Sequence, residues 1–179
     1  RAVDLVVREF GRLDVMVNNA GIQIAKPALD VSEDDWDRVV DVNLRGVFFC
    51  AQAAGRVMTA QRGGRIINIA SQNGVIGYVN RAAYCAAKAG VVNLTRVLAI
   101  EWAPYNVLVN AVAPTFVRTP MGERALSDPA VRDDILSRIP LGRIAEPEEI
   151  TGAIVYLASP AASMVTGHTL LVDGGWTAW

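Results

Sequence analysis

The sequence has little of what several classes of protein depend on. Its 179 residues include one histidine and two cysteines, Cys50 and Cys85. None of them has the spacing of metal ligands, so we expect no metal site. We expect the two cysteines to be free thiols in a reducing compartment. The 17 Lys and Arg residues are balanced by 18 Asp and Glu residues and form no basic run that would attract nucleic acid or an anionic membrane. No uninterrupted apolar run approaches the roughly 18 residues of a membrane-spanning helix. These absences predict a cytoplasmic protein with no nucleic-acid or membrane partner.

Apolar segments of two kinds alternate along the chain, and 52% of its residues are hydrophobic. Short runs bounded by turn residues predict strands at Leu13–Val17, Arg65–Ala70, Val107–Val112 and Thr169–Val172. Longer segments predict helices at Ala2–Phe10, about Ser32–Met58, about Arg81–Trp102 and about Pro147–Ala158. Repeated strand–helix–strand units predict an α/β fold with a doubly wound parallel sheet and helices on both of its faces. We expect one domain over residues 1-179.

Local signals mark where helices begin and where the regular pattern is interrupted. Ser32 followed by Asp35 has the pattern of a capping box, and Pro147 has the first-turn position that suits proline. The proline-rich stretch at about 115-140 breaks the alternation and predicts only a short helix at about Asp128–Arg138. Because this stretch follows the carboxyl end of a strand, where open α/β sheets bind ligands, we expect it to be a substrate-binding insert.

Two polar residues on the helix at about Arg81–Trp102 have the spacing of a catalytic pair. Tyr84 and Lys88 are four residues apart, so they share one face of the helix and lie about one turn from each other. An ammonium beside a phenol favours the phenolate and lowers a pKa that is ordinarily about 10. A tyrosine of this kind can exchange a proton with an alcohol or a carbonyl oxygen near neutral pH. On its own the pair is also typical of an ordinary amphipathic helix.

Three further features accompany the pair. Ser71 ends the second strand, where its hydroxyl can donate to a substrate oxygen. Asn43 lies within the first long helix, although asparagine has a poor helix propensity and prefers caps and turns. Asn18-Asn19-Ala20-Gly21 follows the first strand directly, as a turn that lets a ligand approach the backbone. Each feature alone is compatible with a structural role, and only their combination indicates a site.

Taken together, these residues resemble the short-chain dehydrogenase/reductase family, and the resemblance extends over essentially the whole chain. The matching elements are Asn-Asn-Ala-Gly at 18–21, Asn43, Ser71, Tyr-Cys-Ala-Ala-Lys at 84–88, Asn110 through Thr119, and Val172-Asp173-Gly174-Gly175. The resemblance implies a Rossmann-like fold. It also implies an oxidoreductase that transfers a hydride between NAD or NADP and a secondary alcohol or ketone.

The resemblance further implies a role for each site residue. Tyr84 would be the general acid/base, and Ser71 would hold the substrate carbonyl. Lys88 would lower the pKa of Tyr84 and bind the nicotinamide ribose, and Asn43 would anchor a water that links Lys88 to solvent. Besides Tyr84 and Lys88, the implied cofactor-binding residues are Asn19, Ala20 and Gly21 on the adenosine side and Pro114, Thr115, Val117 and Thr119 near the nicotinamide.

The chain departs from the family pattern in two places. Many members have Pro-Gly after the third strand, whereas this chain has Pro114-Thr115, and similar sequences are often sugar or polyol dehydrogenases. In addition, no glycine-rich phosphate loop follows a strand and opens a helix. In the family this loop precedes the Asn-Asn-Ala-Gly element. We therefore expect a sheet that is incomplete on its N-terminal side by on the order of 70 residues, and poor dinucleotide binding by the chain alone.

Several functions stay open at this point. The favoured substrate is a sugar, sugar acid or polyol, and the alternative within the family is a 3-oxoacyl thioester. The alternative of another class is a non-catalytic fragment that binds a dinucleotide or mediates oligomerisation. The loss of Asn43, Ser71, Tyr84 or Lys88 would favour it, but all four are present. An α/β hydrolase would need Gly-x-Ser-x-Gly, which the sequence lacks. The resemblance also implies a homodimer or homotetramer formed through the helices at about 32-58 and 81-102.

Overall fold

Strands and helices alternate over residues 2–178, the part of the chain that the computed structural model describes. The strands are β1 (Val15–Asn18), β2 (Gly64–Ile69), β3 (Val107–Pro114) and β4 (Thr169–Val172). The helices are α1 (Ala2–Phe10), α2 (Glu33–Val40), α3 (Gly46–Gln61), α4 (Ala82–Trp102), α5 (Pro120–Leu126), α6 (Pro129–Arg138) and α7 (Pro147–Ala158). Each predicted strand is therefore present, with ends that differ by no more than two residues.

The four strands form one parallel sheet in which the spatial order is the sequence order, β1-β2-β3-β4. All eight residues of β3 are buried, as expected for an inner strand that is covered on both faces. The carboxyl ends of the strands lie along one edge of the sheet. Since parallel strands need crossover connections, helices pack on the sheet between successive strands.

The core has a layer on each side of the sheet. On one side, α3 and α4 pack on the strands through buried residues that include Ala54, Met58 and Leu98. On the other side, α7 packs through Ile150 and Leu157. This arrangement confirms the predicted Rossmann-like, doubly wound α/β fold.

Side chains specify two of the helix starts. The Ser32 hydroxyl accepts a hydrogen bond from Asp35 N at 3.1 Å, and the Asp35 carboxylate accepts one from Ser32 N at 3.2 Å, so the predicted capping box is present. The Lys26 ammonium donates to the same carboxylate at 2.5 Å. These contacts lower the pKa of Asp35 to about 2, with the hydrogen bond from Lys26 as the largest cause. α7 begins at Pro147, as predicted.

Two features of the helices differ from the prediction. The segment predicted as one helix to about Met58 contains a π-helical turn, Asp41–Arg45, between α2 and α3. The insert contains α5 as well as the predicted α6. A π turn accommodates one extra residue without ending the helix, and for that reason the hydrophobic pattern continues across it.

α4 is the longest helix, and together with the following turn it covers Ala82–Tyr105. By length and mean hydropathy alone α4 could cross a membrane. The sequence did not predict this, because Lys88 and Arg96 interrupt the apolar run. Its buried side, which includes Val91, Thr95 and Leu98, packs in the core of this fold. We therefore interpret α4 as a core helix.

β1 lies at an edge of the described sheet. Its residues Val15 and Val17 are 38% and 37% exposed. They pair with Arg65 and Ile67, so they lie on the face of the sheet that α7 covers further along. That face is thus less covered at β1 than at β2 and β3.

Candidate active site

The carboxyl edge of the sheet brings together residues that are far apart in the sequence. Asn19, Ala20 and Gly21 follow β1, Ser71 follows β2, and Thr115 follows β3. α4 packs on β3 and on the 3-10 turn Gln72–Gly74, so its first turns lie at the same edge. The predicted site residues therefore come from four separate elements that meet in one place.

Ser71 and Tyr84 form the centre of the arrangement. The Ser71 backbone is extended, and its buried hydroxyl accepts a hydrogen bond from Asn73 N at 3.1 Å, which caps the turn Gln72–Gly74. The same hydroxyl faces the Tyr84 phenol and acts to lower its pKa. The strand-end hydroxyl and the helix phenol thus point into the same crevice.

Lys88 lies one helical turn beyond Tyr84 and is buried. Its Nζ is 5.7 Å from the centroid of the Tyr84 ring and donates to the Ile69 carbonyl oxygen at 2.7 Å. Ile69 is the last residue of β2. Among residues 2–178 this carbonyl is the only hydrogen-bond partner of an ammonium that has three N–H donors, so donors remain for a ligand.

The pKa values of Tyr84 and Lys88 differ from the prediction that the lysine lowers the pKa of the tyrosine. Burial raises the pKa of Tyr84, while the Ser71 hydroxyl and the charge of Arg81 act in the opposite direction. Burial also lowers the pKa of Lys88 to about 8, because no carboxylate compensates for the lost hydration. The pKa of Tyr84 is therefore raised, not lowered as predicted, in the protein without ligands.

Asn43 occupies the middle of the π turn and is fully buried. Its amide donates to the carbonyl oxygens of Ile22 and Val39, each at 2.8 Å, and its Oδ1 accepts from Ile22 N at 3.2 Å. Asn43 therefore holds the loop that follows β1. Both amide donors are used by these contacts, so a water held by Asn43, as predicted, would have to donate to Oδ1.

Gly21 is where this loop approaches Asn43 and Lys88. A Cβ at Gly21 would lie 2.8 Å from Asn43 Oδ1 and 3.7 Å from Lys88 Nζ. The first distance is shorter than real Cβ contacts, so only glycine fits without a shift of the loop or of Asn43. This close approach supports a site that is built around the backbone at 19–21.

Gly21→Ala is expected to destabilise the protein by about 1–3 kcal/mol, because the new methyl group displaces Asn43 Oδ1 from Ile22 N. It is also expected to weaken NAD(P)H binding, since the loop moves relative to Lys88. Thermal unfolding and cofactor fluorescence titration measure the two effects. Gly77→Ala is the matched control, because a Cβ there has no neighbour within 4 Å. Equal behaviour of the two variants would contradict this account of the loop.

Buried polar atoms without a hydrogen-bond partner among residues 2–178 concentrate at the same edge of the sheet. An unpartnered buried polar group costs about 1–3 kcal/mol, so such a concentration is typical of a site that binds a polar ligand. Two such atoms, in Arg65 and Thr169, belong to the starts of β2 and β4. The others follow β2 and β3 or precede α4: Gln72 Nε2 and Oε1, Asn73 Oδ1, Arg81 Nε and Thr115 Oγ1.

These donors and acceptors fit the nicotinamide end of a dinucleotide. The donors of Lys88 suit ribose hydroxyls, and the unpartnered Thr115 hydroxyl suits a carboxamide. Thr119 differs, because its hydroxyl accepts from Gly122 N at 3.2 Å and caps α5. Pro114 is held in the sheet by its pairing with β4, and Val117 is held by a bridge to Ala145.

Sequence reasoning did not find Arg81, Gln72 or Asn73. All three are buried. Gln72 and Asn73 directly follow Ser71, and their position beside a predicted catalytic serine was a usable signal. For Arg81 the sequence offers no comparable signal, since an arginine just before a helix is ordinarily solvated.

Comparisons with known proteins match nearly the whole chain. The family model described as enoyl-(acyl carrier protein) reductase matches residues 1–177. The NAD-dependent glycerol dehydrogenase of Listeria innocua is 42% identical over 177 residues, which are 99% of this chain and 69% of that protein. The 3-oxoacyl-[acyl-carrier-protein] reductase of Thermotoga maritima is 47% identical over 173 residues, 97% of this chain and 70% of that protein.

A solved structure agrees with the fold in detail. The gluconate 5-dehydrogenase of Burkholderia cenocepacia, crystallised with NADP and tartrate, superposes with a TM-score of 0.96 at 39% identity. The match covers 99% of this chain and 70% of that one.

Proposed function

Because the chain belongs to the short-chain dehydrogenase/reductase family, we propose that it interconverts a secondary alcohol and a ketone on a sugar, sugar acid or polyol. The chain is an NAD(P)-dependent oxidoreductase, and its relatives include dehydrogenases of two polyols, glycerol and D-threitol, and of a sugar acid, 2-dehydro-3-deoxy-D-gluconate. The observation that carries the proposal is the convergence of three groups at the carboxyl edge of the sheet. The Ser71 hydroxyl acts on the pKa of the Tyr84 phenol, and the Lys88 ammonium lies 5.7 Å from the phenol ring.

The nicotinamide, when bound, supplies or accepts the hydride. The chain's own residues bind, orient and move a proton. In the oxidation, the Tyr84 phenolate accepts the proton of the substrate hydroxyl; in the reduction, the phenol returns it to the carbonyl oxygen. The Ser71 hydroxyl donates to the same substrate oxygen and so fixes the position of that oxygen beside the Tyr84 phenol.

The residues around Tyr84 and Ser71 hold the cofactor and the substrate in position. Lys88 holds the ribose hydroxyls with the donors that Ile69 leaves free. Asn43 holds the backbone at Ile22 and so fixes residues 19–21, which line the adenosine side of the cofactor. Thr115, Val117 and Thr119 lie toward the nicotinamide, and the insert at about 115-140 covers the substrate.

A 3-oxoacyl thioester is the second candidate substrate, and the 47% identity to a 3-oxoacyl-[acyl-carrier-protein] reductase supports it. The full-length protein, whose upstream segment is expected to carry the glycine-rich loop, is assayed with NAD and NADP against D-gluconate, glycerol, D-threitol and a 3-oxoacyl thioester by following NAD(P)H absorbance. Turnover of a sugar acid or polyol is the expected result. Turnover of the thioester alone would replace the first candidate with the second, and no turnover of any would contradict the function.

Assembly and location complete the proposal. Phe49 on α3 and Ile100 on α4 are 51% and 76% exposed, so each of these helices presents a large apolar side chain that a second copy of the chain could cover. These exposures support a homodimer or homotetramer formed through the helices at about 32-58 and 81-102. The molar mass in solution, from light scattering, tests it, and a monomer would contradict it. The free thiols Cys50 and Cys85 support a cytoplasmic location.

A further inference from the structure

Arg81 is a buried cation with no anion beside it. The residue precedes α4 by one position, lies three residues before Tyr84 and is only 7% exposed. Its side chain makes no hydrogen bond or ion pair with any of residues 2–178, and Nε is buried without a partner. By contrast, the exposed Arg118, Arg138 and Arg143 each pair with a carboxylate. Arg81 is buried, as these three are not, yet it has no such counter-ion.

Aromatic rings fix the position of the Arg81 guanidinium. Its Cζ lies 5.2 Å from the centroid of the Tyr78 ring and 5.2 Å from that of Phe116. Trp176 stacks on Phe116 at 5.8 Å and meets Tyr78 edge-on at 5.6 Å. Contacts with ring faces orient the plane of the guanidinium but leave its N–H donors unused.

The acidic group that contacts the same Tyr78 ring system is committed elsewhere. Asp134, on α6, accepts a hydrogen bond from the Tyr78 hydroxyl at 2.8 Å and pairs with Arg138 at 2.9 Å. Asp134 thus anchors the insert to the ring that Arg81 contacts, without forming an ion pair with Arg81. Burying a charge without a partner is costly, and proteins tolerate it where a ligand supplies the partner.

Arg81 also lies close enough to the catalytic phenol to act on it. It precedes Tyr84 by three residues, and its carbonyl oxygen accepts a hydrogen bond from Cys85 N at 2.8 Å, so the two side chains leave the same turn at the start of α4. Its positive charge also opposes the effect of burial on the pKa of Tyr84. A group bound to Arg81 would therefore belong to the same molecule as the alcohol or ketone that meets Tyr84.

We propose that Arg81 binds a carboxylate of the substrate, and that the preferred substrate is consequently an alcohol or ketone that carries a carboxylate, such as a sugar acid. The planar guanidinium can donate two parallel hydrogen bonds to a carboxylate, which neither a polyol nor a thioester offers. The assignment rests on the proposed function, because it narrows the substrate of the same site.

The test uses the full-length protein and compares matched acids and polyols by calorimetry in the presence of NAD(P)H: D-gluconate with D-glucitol, and tartrate with D-threitol. The wild type is expected to bind the acid of at least one pair more tightly. Arg81→Met is expected to weaken that binding by about 100-fold or more and to leave the polyol unchanged. Arg81→Lys keeps the charge but not the two-pronged geometry, so it should fall between the two.

Arg138→Met is the matched control. Arg138 also stacks over the Tyr78 ring, at 5.8 Å, but its charge is already paired with Asp134 and it is exposed. It should leave the preference for the acid intact. If Arg81→Met does not fold, as thermal unfolding would show, the Arg81→Lys comparison decides. Equal affinity of the wild type for acid and polyol in both pairs, or an equal loss of both ligands in the Arg81 variants, would overturn the proposal.

Binding and turnover separate this inference from the function on which it rests. A preference for the acid that depends on Arg81, without NAD(P)H formation from any alcohol, would overturn the redox function and leave the carboxylate site. Turnover of neutral polyols without any preference for the acids would overturn the carboxylate site and leave the redox function.

Discussion

Tyr84→Phe lowers turnover by between about 10²- and 10⁴-fold, because the variant has no group that can exchange a proton with the substrate oxygen. The ring still fills the same volume beside Lys88, so the fold and the cofactor affinity are expected to stay unchanged. Steady-state kinetics measure the first effect, and a fluorescence titration with NAD(P)H measures the second. Tyr156→Phe, on the exposed side of α7, removes a phenol far from the site and serves as the control.

The pH dependence of the wild type sharpens this prediction. Burial raises the pKa of Tyr84, so the phenol form dominates at neutral pH. Alcohol oxidation needs the phenolate and should accelerate as the pH rises, whereas ketone reduction needs the phenol and should be favoured at lower pH. Both dependences should disappear from the residual activity of Tyr84→Phe. A variant with near-normal turnover, or with the pH profile of the wild type, would remove Tyr84 from the role.

Much of the fold follows from local sequence signals. Ser32 with Asp35 and Pro147 each place a helix start at the correct residue, because a cap depends only on neighbours within one turn. The strands are predictable for a related reason, since a strand that is covered on both faces needs a continuous apolar run, as in β3.

The π turn at Asp41–Arg45 is not predictable in this way. It adds a residue to the helix without changing which residues are apolar, so the pattern across α2 and α3 reads as one continuous helix. Asn43, in the middle of the turn, contacts the backbone of Ile22, which lies 21 residues earlier. The Asn43 side chain accepts a hydrogen bond from Ile22 N and donates one to the Ile22 carbonyl oxygen. Only the packing of the loop after β1 brings these residues together.

The site divides along the same line. Ser71, Tyr84 and Lys88 could be proposed from the sequence because chemistry restricts the residue types and, for Tyr84 and Lys88, the helix fixes the spacing. The raised pKa of Tyr84 could not, because it depends on burial, which the spacing of Tyr84 and Lys88 does not reveal. The position of Arg81 could not be predicted either, because its contacts with the Tyr78 and Phe116 rings depend on the packing of distant segments.

Lys88→Met is expected to lower kcat/KM by between about 10²- and 10³-fold and, unlike Tyr84→Phe, to weaken cofactor binding as well. The methionine fills the volume of the lysine stem but has no donors for ribose hydroxyls. It also leaves the Ile69 carbonyl without the hydrogen bond that Lys88 donates at 2.7 Å, so some loss of stability accompanies the change. Cofactor titration, kinetics and thermal unfolding are therefore measured together.

The control for that loss of stability lies two turns further along α4. Thr95 is fully buried, donates to the Val91 carbonyl at 2.8 Å and accepts from Asn68 at 2.9 Å. Thr95→Val removes a buried polar group from the same helix, away from the carboxyl edge of the sheet. It should lower the melting temperature and leave cofactor affinity unchanged. If the two variants weaken cofactor binding equally, the effect of Lys88 is structural.

The pH dependence of cofactor binding tests the charge of Lys88 directly. Burial lowers its pKa to about 8, so the ammonium form is present below that pH and is lost as the pH rises through it. The wild type should consequently bind NAD(P)H more weakly above about pH 8 than below it, because the neutral amine is a poorer donor and carries no charge to attract the phosphates. Lys88→Met should show no such change across the same range. A transition that persists in the variant would assign it to another group and withdraw Lys88 from cofactor binding.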